Sequence, residues 1–134
     1  MRQICFVMRY VWALPATAVG LLFAALALCA GATIRFADGV IEVAGGQLER
    51  IVSLLPPSAR FVAITLGHVI IGIDHAALRR VRSHEHVHVQ QYERWGLIFF
   101  PLYVASSLVQ LLHGRDPYLN NCFEREAYGR DDEA

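Results

Sequence analysis

From Val11 to Ala32 the chain carries no charged side chain. At 1.5 Å per residue that run makes a helix of roughly 33 Å, enough to cross a hydrocarbon core about 30 Å thick. Lipid or protein has to cover such a segment, and the remaining chain must fold in a way that allows it. The run predicts a membrane anchor over residues 1–32, then one small domain over 33–129 and an acidic tail over 130–134. The competing expectation is a signal peptide, with Arg2 and Arg9 as the positive end and Ala30-Gly31-Ala32 as a small-residue cleavage site. The apolar stretch is long for that role, which favours the transmembrane helix. Arg2 and Arg9 place the N-terminus in the cytoplasm, a vote that Arg35 and Arg50 on the other flank weaken.

Beyond this run the composition mainly excludes. The 134 residues are 55% hydrophobic with a mean hydropathy of +0.38, an excess concentrated near the N-terminus. Twelve basic residues, all arginine, balance twelve acidic ones, so no basic surplus exists to bind nucleic acid. Cys5, Cys29 and Cys122 suggest neither a disulfide framework nor a cysteine-based zinc knot.

Thr33 to Val43 forms two β-type runs around Asp38-Gly39, a strong hairpin signal. Gln47 to Leu55 suits a short helix that Pro56-Pro57 ends. Phe61 to Ile73, β-branched and interrupted by Gly67 and Gly72, reads as two adjacent strands or one bent strand. Asp74 is placed to cap a helix from His75 to about Trp95. Gly96 to His113 is a second apolar run of roughly 27 Å, borderline for crossing a bilayer. Crossing would put everything after it on the far side from residues 75–95. The run is therefore expected to pack on the preceding helix or lie at the membrane interface, with Pro101 in its first turns.

The helix over 75–95 contains His84-Glu85-His86-Val87-His88. His84 and His88, four residues apart, project from nearly the same side and can share one metal ion. Glu85 is turned roughly 100° from His84, where a carboxylate can reach a water beside that ion without becoming a ligand. His-Glu-x-x-His is the signature in which two histidines bind zinc and the glutamate serves as general base. Ala77, Leu78, Val81, Val89, Tyr92 and Trp95 share a sector with Glu85 and His88, so the motif borders the buried stripe. Arg79, Arg82, His86, Gln90, Glu93 and Arg94 fall outside it, while Arg80 and Val87 fit the division poorly. His86 is accordingly expected in solvent and His68 at the surface or a cleft edge, neither as a ligand. The plainer alternative is a helix whose histidines only pack or hydrogen-bond.

A catalytic zinc site needs a third protein ligand and leaves its fourth position to water. Residues 120–129, opened by asparagine and stopped by Gly129, supply Glu124 or Glu126, with His113 as an outside candidate. Each glutamate also has a structural role open to it. With Asn121 as N-cap, Glu124 sits at the reciprocal position of a capping box, and Glu126 suits a solvated helix face.

His84-Glu85-His86-Val87-His88 followed by Glu124-Arg125-Glu126-Ala127 resembles the gluzincin branch of the zincin metallopeptidases, in which a downstream helix supplies a glutamate ligand three residues before a small residue. Over Ala63 to Gly129 the order of strand, motif helix and Gln90-Gln91 is similar to the minimal gluzincins of bacteria. The resemblance implies zinc ligands His84, His88 and Glu124, Glu85 as catalytic base, and Ala127 as the small residue where two helices meet. Gluzincins often place an aspartate directly after that small residue, orienting a ligand histidine. Here the position is Tyr128, with Asn120, Asn121 and Asp116 as substitutes. Tyr92, Tyr103, Tyr128 and His68 are the candidates for stabilising an oxyanion.

The expected architecture is α+β and zincin-like: an N-terminal transmembrane helix, a small hairpin or sheet, and the motif helix packed with an apolar helix and a short C-terminal ligand helix. The expected function is that of a membrane-anchored zinc peptidase or peptidase-like hydrolase, acting on a peptide or protein substrate and touching lipid through its N-terminal helix. Two alternatives remain, a non-catalytic metal-binding membrane accessory protein and a small structural membrane protein.

Overall fold

Val69–Gly72 offers no polar side chain, and a strand of that composition is stable only with both faces covered. In the structure, a computed structural model describing residues 2–131, all four of its residues are buried. The protein is α+β. Helix α1 (Arg2–Cys29) leads into strands β1 (Thr33–Ala37) and β2 (Val40–Ala44), then helix α2 (Leu48–Ser53), strands β3 (Ala63–Leu66) and β4 (Val69–Gly72), and helices α3 (His75–Trp95), α4 (Phe99–Leu112) and α5 (Cys122–Asp131). The sheet order is β1-β2-β4-β3, with β2 and β4 parallel and the two outer pairs antiparallel. The expected hairpin over β1 and β2 forms, and Phe61 to Ile73 makes two adjacent antiparallel strands, not one bent strand. Asp38 and Gly39 adopt φ of 50° and 79°, the left-handed pair that a two-residue turn needs.

The period of two along the strands assigns each face to a different helix. Val43, Val69 and Ile71 pack with Ala24 and Ala27 of α1. The alternate residues Val40, Ala44 and Ile70 pack with Leu78 and Val89 of α3. The sheet is thus the middle of three layers. On the α3 side Glu42, almost wholly buried, receives Arg82 through two hydrogen bonds of 2.6 and 2.8 Å, which pin β2 to the motif helix.

Helix α1 meets the domain along a stripe of its smallest side chains, Ala13, Ala16, Gly20, Ala24 and Ala27. A Cβ on Gly20 would lie 2.7 Å from the Leu66 carbonyl oxygen and 2.8 Å from the Val69 Cβ, so helix and sheet are in backbone contact there. Its large apolar residues point away, and Val11, Leu14, Leu22 and Leu26 are each about 60% exposed.

Helix α3 spans the expected residues, and the Asp74 carboxylate caps it by accepting from the Ala77 N–H at 2.8 Å. Gly96 ends it at φ 58°. A 3-10 turn, Gly96–Ile98, leads into α4, whose first turn contains Pro101. Phe99 is the buried residue of α4, while Leu108, Val109, Leu111 and Leu112 are exposed.

Several side chains depart from the sequence expectation. Trp95, expected on the buried stripe, is 41% exposed, and Val87, which fits the stripe poorly, is buried; α1 and α5 both pack on α3. His68 is buried along the wall of a cleft and not at the surface: its ring stacks on Tyr10, its backbone N–H donates to the Thr17 hydroxyl at 3.1 Å, and its Nε2 lies 3.1 Å from Glu93. His86 is half-buried, and its Nε2 has no hydrogen-bond partner among the described residues. Of the expected tail, Arg130 belongs to α5 and donates to Gln90 and Glu126. Residues 132–134 lie outside the described residues.

Candidate metal centre

Two turns inside α3, His84 and His88 point towards α5 with both rings buried. Their Nε2 atoms are 3.2 Å apart. Glu124 reaches them from α5, with Oε2 3.0 Å from His84 Nε2 and Oε1 3.4 Å from His88 Nε2. One ligand atom from each residue lies within 4.8 Å of the other two, and the three side chains could together hold a metal ion. Among the described residues no other group of histidine, cysteine and carboxylate side chains meets this condition.

The local sequence explains how Glu124 gets there. Asn121 caps α5, its side-chain oxygen accepting from the Phe123 N–H at 3.0 Å. Its amide nitrogen donates to the Tyr103 carbonyl and the Ser107 hydroxyl, which ties the start of α5 to α4. Glu124 does not complete a capping box. Its carboxylate turns inward, where Oε1 accepts from the Tyr103 hydroxyl at 2.6 Å. Ala127, fully buried on the same face, is small enough to let α5 close on α3.

Burial raises the pKa of the Glu124 carboxyl, but hydrogen bonds from His84, His88 and Tyr103 outweigh it and hold the group well below the ordinary carboxylate range. The residue is an anion aimed at two imidazoles. Glu126, the other candidate, is turned away and braced by Gln91, Arg94 and Arg130. His113 is exposed and donates from Nδ1 to the Val109 carbonyl. Glu124 is therefore the acid brought to the histidines.

The residue that orients the site is Gln91, only 1% exposed. Its amide nitrogen donates to the Phe123 carbonyl at 3.0 Å and to Glu126 at 2.9 Å, so its oxygen is left to accept from His88 Nδ1 at 2.8 Å. That bond places the proton of a neutral His88 on Nδ1 and leaves the Nε2 lone pair for a metal. None of Asn120, Asn121 and Asp116 takes this part, because each closes the turn or cap that precedes α5. Gln91 lies three residues after His88, one turn along the same helix, and that spacing was the available signal. Gln91→Leu is expected to weaken metal binding about 10- to 100-fold, read by competition with a chromophoric chelator; unaltered affinity would remove Gln91 from this role.

His84 lacks such support. Its Nδ1 is buried without a hydrogen-bond partner among the described residues, and the Tyr128 ring packs against the imidazole at 4.5 Å.

Glu85, also buried, lines the same cleft as the three candidate ligands, a space of about 560 Å³ walled by β3, α4 and α5. Thr65 on β3 donates its hydroxyl to Glu85 Oε2 at 2.6 Å. This contact joins residues twenty apart on different elements, and no local pattern announces it. Among the oxyanion candidates, Tyr103 is engaged by Glu124, Tyr92 packs with Ala13 and Phe99, and His68 lines a separate cleft with Tyr10 and Glu93. Tyr128 remains in the cleft, its hydroxyl 3.2 Å from that of Tyr118. No family model, curated protein or solved structure matches the chain.

Proposed function

We propose that the protein is a zinc-dependent peptidase of gluzincin type, held at a membrane by α1. The observation that supports this most is the convergence of the two ring nitrogens, 3.2 Å apart, on the Glu124 carboxylate, whose Oε2 is 3.0 Å from His84 Nε2 and whose Oε1 is 3.4 Å from His88 Nε2. Ligands about 2.0–2.1 Å from a tetrahedral zinc stand roughly 3.3 Å from one another, so the two imidazoles and the carboxylate are close to the spacing a zinc ion requires. Two imidazoles and a carboxylate form the donor set of a catalytic zinc with one position open. His84, His88 and Glu124 would hold the ion, which would supply a more acidic water and a polarised carbonyl.

The chain supplies the proton chemistry. Thr65 occupies Oε2 of Glu85, which leaves Oε1 as the free oxygen to take the proton of the attacking water and return it to the leaving amine. Tyr128 and Tyr118 present hydroxyls to the same cleft, where a carbonyl oxygen gains negative charge. β3 is an edge strand of the sheet and forms one wall of the cleft, so an extended peptide can pair with it beside Glu85.

Loaded with zinc, the full chain is expected to cleave members of a mixed peptide library, with new termini read by mass spectrometry. Chelation should stop cleavage and added zinc restore it. The orphaned Nδ1 of His84 favours a second reading, a metal-binding accessory without turnover. Stoichiometric zinc with no cleavage anywhere in the library would select that one.

A further inference from the structure

A helix of 28 residues with an uncharged core can cross a bilayer or lie along it, and what is packed against it decides between the two. Contacts with the domain run from Tyr10, stacked on His68, to Ala27, packed on β2 and β4. That interval is roughly 26 Å at 1.5 Å per residue, most of the depth of a hydrocarbon core. Were α1 to cross, the sheet and α3 would be carried into the acyl region beside it. The outer edge of β1 would then present unpaired backbone groups to lipid, which hydrocarbon does not tolerate. His68, bonded to Thr17 in the middle of the helix, would be submerged too, together with Glu93, which pairs with it and with Arg9.

We propose that α1 lies in the plane of a bilayer surface, its outward face among the acyl chains of one leaflet and the sheet and α3 on the water side. The outward face fits lipid better than a second copy of the chain. Val11, Leu14, Leu22 and Leu26 lie opposite the alanine stripe, and no charged residue interrupts the run from Tyr10 to Ile34. Protein interfaces of comparable extent carry a hydrogen bond for about every 100–200 Å² and a polar rim, and this face offers neither. Trp12 and Trp95, both more than two-fifths exposed, stand where α1 meets the turn into α4, and tryptophan prefers the headgroup level. The turn extends the apolar surface with exposed Leu97 and Ile98.

The test uses the full chain with its three cysteines replaced by serine and single cysteines returned one at a time. Gln3→Cys lies in the first turn of α1 and Glu49→Cys in α2, beyond its other end. On chain bound to preformed, sealed phosphatidylcholine–phosphatidylglycerol vesicles, both are expected to react fully with a membrane-impermeant maleimide. A bimane on Leu22→Cys, an exposed position that the fold does not need, should be quenched most by lipid with a nitroxide near the headgroup. A crossing helix would protect one of the two flanking cysteines until the vesicles are lysed, and would be quenched best by a nitroxide near the acyl end. Either of those results overturns the proposal. So does a dimer in solution that ignores vesicles. These readouts register lipid depth and not hydrolysis, so they are decided independently of the peptidase reading.

Discussion

Replacing Glu85 with glutamine is expected to lower peptide cleavage by about 10²- to 10⁴-fold while leaving zinc affinity and the fold in place. The separation of these effects follows from the contacts. Glu85 is not among the three converging ligands, so the metal does not depend on its charge. The amide oxygen of glutamine still accepts from the Thr65 hydroxyl, which keeps the buried side chain in position. Only the ability to take and return a proton is lost. Turnover that survives the substitution undiminished, with zinc bound, would assign the chemistry to another group and undo the mechanism.

The second large effect is thermodynamic. Zinc at about 1,000 times its Kd stabilises the folded chain by roughly 4 kcal/mol. For a chain of this size that raises Tm by roughly 10–20 °C. Glu124→Ala should abolish the rise. In the metal-free protein the same substitution leaves the Tyr103 hydroxyl and the His84 Nε2 without their common acceptor, at a cost of about 1–3 kcal/mol. Calorimetry with and without zinc reads both effects. A variant whose Tm still climbs with zinc as the parent's does would show that Glu124 is not a ligand.

Much of this arrangement is legible in the chain because its signals are local. The Asp38-Gly39 turn, the Asp74 cap and the four-residue spacing of His84 and His88 each work within a few residues, and each is found where the pattern puts it. Local patterns also leave Glu124 and Glu126 equivalent, since both sit on one short helix. The choice between them depends on the direction from which α5 reaches α3, which Asn121 sets by gripping α4. Thr65 and Gln91 show the two ways in which a supporting residue escapes notice. Thr65 acts across a gap of twenty residues, and Gln91 carries a polar side chain that the division into apolar stripe and polar side leaves unassigned. The same mechanism hides the burial of His68, whose partners Thr17 and Glu93 come from elements on either side of it in sequence.

The alanine and glycine stripe of α1 has one more consequence, for proteolysis. A chain cut after Ala32 loses the lid over Tyr92 and Phe99 at one end and over Val43, Val69 and Ile71 at the other. Those side chains would meet water at once, and the sheet would be left with one bare side. A peptidase that trims the leader region would therefore destroy the fold it releases, and the shortened product should be recovered as aggregate or not at all.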